Sequence, residues 1–115
     1  MVTHHAAVFA AIADPTRRSI LDSLRAGERS AGTIATDYRV SRPAISKHLR
    51  VLREAGLVSE RRESRLRLYS LRPAPLRDVD RWLDGYRVLW AARLQDLRLA
   101  AEAAQRATSP TDRPR

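Results

Sequence analysis

The segment 40–58 restricts this chain more than any other, because it can bury one edge only by folding as a helix. Ile45, Leu49 and Leu52 recur at i, i+4 and i+7, the spacing that stacks side chains on one helical face. Ser41 stands where an N-cap accepts a free N–H of the first turn, and Pro43 lies in that turn at no hydrogen-bonding cost. Gly56 suits the left-handed residue that ends a helix. A helix is therefore predicted over 42–55. Its other face carries Pro43, Ser46, Lys47, Arg50 and Glu54, a small, hydrogen-bonding and mostly cationic set that suits a DNA major groove.

Charge is concentrated around this helix. The 115 residues carry a formal net charge of +9; residues 39–72 hold ten Lys or Arg against three Glu, while the rest hold twelve against ten acids. A polyanion is the partner such a field attracts. Lys47 is the single lysine of the chain. Guanidinium groups fork onto phosphates and guanines, although a GC-rich genome gives the same Arg bias.

Composition sets further bounds. One Phe, two Trp and three Tyr leave a core of Leu, Ile, Val and Ala, enough for one domain over 1–106 and helped by a shared interface. The absence of Cys excludes disulfides, thiolate metal sites and thiol redox sensing. No apolar run approaches the roughly 20 residues of a membrane span, and no signal-peptide pattern opens the chain, so a cytoplasmic protein without membrane contact is expected.

Residues 4–13 are apolar nearly all round, so a helix there needs cover on more than one side. Its own domain and a second protomer supply it, with Val8, Phe9 and Ile12 at the dimer interface. Asp14 and Pro15 open a second helix running to about 25, with Ile20, Leu21 and Leu24 inward and Gly27 as its stop. Ser30 caps a third over 31–37, and Tyr38, Arg39 and Val40 turn into the helix of 42–55. Two short helices, the second bearing the polar and basic face, make a helix-turn-helix, without the usual Gly in the turn. Residues 57–71 read as a β-hairpin with Arg62 and Arg65 at its tip. Leu66, Leu68, Tyr69 and Leu71 leave the phase of its second strand open.

Pro73 and Pro75 open a last helix over 74–106. Along it Val79, Leu83, Tyr86, Trp90, Leu94, Leu97, Ala101 and Ala104 recur at spacings of 3 and 4, close to a heptad seam that implies a partner helix. Gly85 weakens this helix by about 1 kcal/mol relative to Ala and suggests close packing. Residues 107–115 lack an apolar anchor and are expected to form a disordered tail.

In these pieces the chain resembles the ArsR-type winged helix-turn-helix repressors of bacteria. The matching segments are DPTRRSIL (14–21), VSRPAISKHL (40–49), LREAGLV (52–58) and the wing-like RRESR (61–65) with Tyr69. The resemblance covers about 6–100. It implies a mainly α fold with a small β-hairpin, a homodimer pairing through its first and last helices, and a local or autoregulatory repressor on a palindromic operator. The family's base-contacting positions fall on Arg42, Pro43, Ser46 and Lys47. Pro43 offers only an apolar contact, such as one to a thymine methyl, and Ser64 stands where the wing often has Gly. Metal-sensing members use Cys in the third helix or Asp and His on the last. Here Ser30, Ala31, Gly32, Thr33, Ile34 and Ala35 fill the first place; the last helix has Asp78, Asp80, Asp84 and Asp96 but no His. No metal and no cofactor are expected, and any small-molecule effector stays unidentified.

Several residues admit two readings. Ser46 and Lys47 would be solvated on any helix but touch DNA within a helix-turn-helix. His48 projects toward the edge of the buried stripe, suited either to packing on the third helix or to a phosphate. Adjacent His4 and His5 cannot face one way on a helix, so a frayed end fits better than a metal pair. Arg62, Arg65 and Arg67 either reach phosphates and the minor groove or keep a hairpin edge from aggregating. Asp80 and Asp84 read as ion pairs with Arg77, Arg81 and Arg87 rather than an acid/base pair. Trp82 and Trp90 line a ligand pocket between protomers or belong to the core beside the seam.

Together these features describe a dimeric, sequence-specific repressor on double-stranded DNA. Arg42 or Lys47 would meet guanine, Ser46 a base or phosphate, and Arg50, Arg62 and Arg65 phosphates. The alternative is a protein-interaction module with only generic DNA affinity. An enzyme is the weakest option, for no Cys nucleophile, Gly-rich phosphate loop or His–carboxylate constellation stands at recognisable spacing.

Overall fold

The computed structural model describes residues 4–108. In chain order its elements are α1 (His4–Ile12), α2 (Pro15–Ser23), β1 (Arg29–Ser30), α3 (Ala31–Thr36), α4 (Arg42–Glu54), β2 (Val58–Glu63), β3 (Leu66–Leu71) and α5 (Ala74–Thr108). They fall into two units, the first ending at Val79 and the second beginning at Asp80.

In the first unit, side chains fix three helix starts. Asp14 accepts from the N–H of Arg17 at 3.0 Å, Ser30 from that of Thr33 at 3.1 Å and Ser41 from that of Ala44 at 3.2 Å. Each satisfies an N–H that the first helical turn leaves without a partner. α2 stops at Ser23, short of the expected 25, because Leu24 to Ala26 tighten into a 3-10 turn ahead of Gly27. The stripe on α4 occupies the centre of the core: Ile45, Leu49 and Leu52 are at most 1% exposed and pack with Ile20, Ile34, Leu57 and Val58. α1 turns Val8 and Ala11 into this core, both fully buried. Val8 therefore has no surface left for a second protomer, which corrects its place in the expected interface; Ile12 and Val79 also pack partly on their own core.

The hairpin carries a strand that periodicity does not reveal. β1 pairs antiparallel with β3, Arg29 opposite Tyr69 and Ser30 opposite Leu68, giving a three-stranded sheet of order β1-β3-β2. Two residues are too few for an alternation to show. The phase of β3 is settled by Tyr69, which is buried while Leu66 is more than half exposed. At the tip Ser64 adopts φ 59°, the left-handed conformation a glycine takes without strain.

The second unit consists of α5 from Asp80 onward. Helix persists through Thr108, so the tail expected from 107 does not start there, and 109–115 lie outside the described residues. Seam residues Tyr86, Trp90, Leu94 and Leu97 are all exposed, and so are Trp82, Val88, Leu89 and Leu99 away from the strict heptad. Trp82 and Trp90 are thus not core of this chain; with Tyr86 between them they form an aromatic run with ring centroids 4.9 and 6.4 Å apart. Arg87 bonds to both Asp80 and Asp84, the ion pairing expected of those carboxylates. A Cβ at Gly85 would meet nothing within 4 Å, so among the described residues no close packing exists there. Gly85→Ala is expected to raise stability by about 1 kcal/mol, read from a urea transition; a decrease would place a neighbour against that face. No described helix is long and apolar enough to cross a membrane.

Candidate nucleic-acid interface

α4 presents Arg42, Pro43, Ser46, Lys47 and Arg50, all exposed, because the opposite stripe is spent on the core. The hairpin adds a second wall. Directly opposed side chains of an antiparallel pair share a face, so Glu60 and Tyr69 stand together and Arg62 and Arg67 stand together nearer the tip. Alternation puts both pairs on the face that carries buried Val58. A groove of about 490 Å³ between helix and hairpin is lined by Pro43, Ser46, Lys47, Arg50, Arg53, Glu60, Arg67 and Tyr69. A second, of about 410 Å³, shares Ser46, Arg67 and Tyr69 and adds Arg42 and Arg65.

The walls are clasped at one point. The Tyr69 hydroxyl donates to Glu60 Oε2 at 2.5 Å, and Arg53 Nη1 approaches the same oxygen at 3.2 Å. Glu60 thus ties the last turn of α4 to β2 and β3. Burial, and then this hydrogen bond to a carboxylate, push the Tyr69 phenol from 10.0 up to about 12. Because the folded state holds the proton more tightly, this contribution is present below pH 10 and is lost as pH rises toward 12. In alkaline denaturation Tyr69→Phe is therefore expected to lack the part of the stability loss between pH 10 and 12. An unchanged profile would remove the phenol from that role.

On the other face of the hairpin Arg61 is taken up by Glu28, at 2.9 and 2.8 Å, and by Glu63. These bonds hold the Glu28 carboxyl below the usual range, and Ser70 donates to it as well. Arg62 and Arg67 have no such relief. Among the described residues no carboxylate pairs with either, and like charges directly opposed across a sheet repel. An anion seated between them removes that cost.

His48 is the one expected contact that the structure turns away from this face. Its ring is partly buried, and Nδ1 lies 3.2 Å from Arg17 Nη1 and 3.9 Å from Asp14 Oδ2. A guanidinium only donates, so Nδ1 accepts. Its polar contacts run to α2 and its cap. Arg17 also donates to the carbonyls of Ala11, at 2.7 Å, and Ala10, at 3.0 Å, joining the end of α1 to α2 and α4. The Arg17 N–H, with the nearby Arg17 charge, holds the Asp14 carboxyl below its ordinary range.

The groove also includes Arg53 and Glu60, which the reading of the sequence did not single out. Arg53 follows Ser46 and Arg50 at helical spacing, a usable signal; Glu60 gives none, since its meeting with α4 depends on how the hairpin folds back. No group of three or more His, Cys, Asp or Glu side chains among the described residues is placed to hold a metal ion.

Residues 14–60 match the family described as bacterial regulatory protein, arsR family. Over 76 residues the chain is 45% identical to the transcriptional repressor SdpR of Bacillus subtilis (strain 168), an alignment covering 66% of this chain and 84% of that protein. The chain belongs to the arsR family. Among solved structures, an ArsR family transcriptional regulator superposes with a TM-score of 0.72 at 28% identity, covering 77% of this chain and 98% of that one. The ArsR-like transcriptional regulator from Rhodococcus sp. RHA1 gives 0.66 at 38% identity, covering 85% and 92%. This arsR-family chain is accordingly a DNA-binding transcriptional regulator with a winged helix-turn-helix, not an enzyme. α3 and α4 form its helix-turn-helix and the β2–β3 hairpin its wing.

Proposed function

We propose that this regulator represses transcription in the cytoplasm as a homodimer on a palindromic operator, with its own promoter among the targets. The observation that carries the reading is the exposed α4 face from Arg42 to Arg50, whose groove is also lined by Arg67 of the wing, with Arg62 opposite Arg67 in the sheet. Arg42 and Lys47 read guanines through O6 and N7, Ser46 bonds a base or phosphate, and Pro43 gives an apolar contact. Arg50, Arg62, Arg65 and Arg67 hold phosphates and fix the register of the protein on the duplex. Dimerisation is supported by the exposed apolar run Tyr86, Trp90, Leu94 and Leu97 on α5, with Leu83 and the half-buried Phe9 contributing. Two recognition helices about 34 Å apart would enter successive major grooves.

A footprint over the DNA upstream of its own gene, with competitor DNA at physiological salt, tests this. The expected result is a protected inverted repeat. Even protection along the fragment would favour the interaction-module reading, and one unrepeated site would remove the symmetric dimer.

A further inference from the structure

Lys47 is the one lysine among 22 cationic residues, and the chain has no cysteine. Guanidinium groups stay protonated and do not acylate, so the chain offers acyl donors a single side-chain amine. That amine is exposed and lines the 490 Å³ groove beside Arg50, Arg53 and Arg67. Small acyl donors of the cell, acyl phosphates and acyl-CoA thioesters, carry phosphate, the group such a groove attracts.

We infer that Lys47 is an acylation site, modified by phosphate-bearing acyl donors that the groove concentrates, and that its acylation releases DNA. In the step, the unprotonated Nζ attacks the acyl carbon and a C–N amide bond forms. With an acyl phosphate the C–O bond to phosphate breaks and inorganic phosphate leaves; with an acyl-CoA the C–S bond breaks and the CoA thiolate leaves; in both the nitrogen gives up a proton to solvent. No oxidant or reductant is needed. The product has lost a positive charge at the centre of the α4 face and its ability to donate as an ammonium. DNA and donor use the same cations, so bound DNA protects the amine. The release of DNA rests on the proposed function; selective modification of Lys47 does not.

The full chain is incubated with acetyl phosphate, and separately with acetyl-CoA, and occupancy at Lys47 is followed by peptide mass spectrometry. A blocked peptide spanning 41–54 reports the rate without the folded groove. At low salt Lys47 of the protein is expected to react roughly ten-fold faster than the peptide with at least one donor, and the larger ratio identifies the donor. The enhancement should fall in high salt and in Arg50→Ser/Arg67→Ser. A duplex from upstream of its own gene should slow the reaction. The acylated protein should bind that duplex roughly ten- to a hundred-fold more weakly than the same protein left unmodified, whereas the affinity of Lys47→Arg, whatever its starting value, should not change on exposure to the donor. Rates equal to the peptide with both donors would overturn the site. Unchanged DNA affinity after acylation would overturn the switch. If the unmodified chain fails to bind the duplex at all, the proposed function falls, while the rate comparison still decides the site.

Discussion

Leu49→Ala is expected to lower the stability of the first unit by about 3 kcal/mol, within the 2 to 5 kcal/mol seen for such truncations of buried leucines. Leu49 is fully buried midway along α4, between Ile45 and Leu52 on the stripe that closes the core. Removing its branch leaves a cavity walled by other elements, and these cannot all move in to fill it. Folded domains are stable by only about 5–15 kcal/mol, so the change should move the thermal midpoint by more than about 10 °C. Urea and thermal transitions check this, with Lys47→Ala as an exposed control expected within about 0.5 kcal/mol of the parent. A loss below about 1 kcal/mol for Leu49→Ala would mean that α4 is not held as described.

Arg42→Ala together with Lys47→Ala is expected to weaken operator binding roughly a hundred-fold or more, at about 1–3 kcal/mol for each base-reading side chain. Both residues lie on the exposed face, so the double variant should keep the parental thermal midpoint. The pattern of loss separates their roles. If the two read bases, affinity for the operator falls more than affinity for a scrambled duplex. If they hold phosphates, both fall together and the slope of log affinity against log salt flattens by about two. Unchanged operator affinity would remove α4 as the reading element.

Local physics made much of this molecule legible in its sequence. The α4 stripe, the caps at Asp14, Ser30 and Ser41 and the opening of α5 after Pro73 all depend on residues within a turn or two of one another. What remained hidden depends on distant meetings. α1 is apolar nearly all round, so nothing in its own residues shows that Val8 and Ala11 face inward. His48 sits at the edge of its stripe, but that its partners are Arg17 and Asp14 follows from how α2 packs on α4. The Tyr69–Glu60–Arg53 clasp likewise exists only once the hairpin has folded back on the helix. Within the site, the α4 face was readable from spacing, whereas the pairing of Arg62 with Arg67 needed the register of the sheet.

Sequence reading by α4 is tested most directly by one ratio at physiological salt. It is the affinity of the full chain for the footprinted operator divided by its affinity for a scrambled duplex of equal length and composition. A ratio of about a thousand or more is expected of a specific regulator. A ratio near one would contradict it, leaving the basic face of α4 and the wing as a generic hold on phosphate.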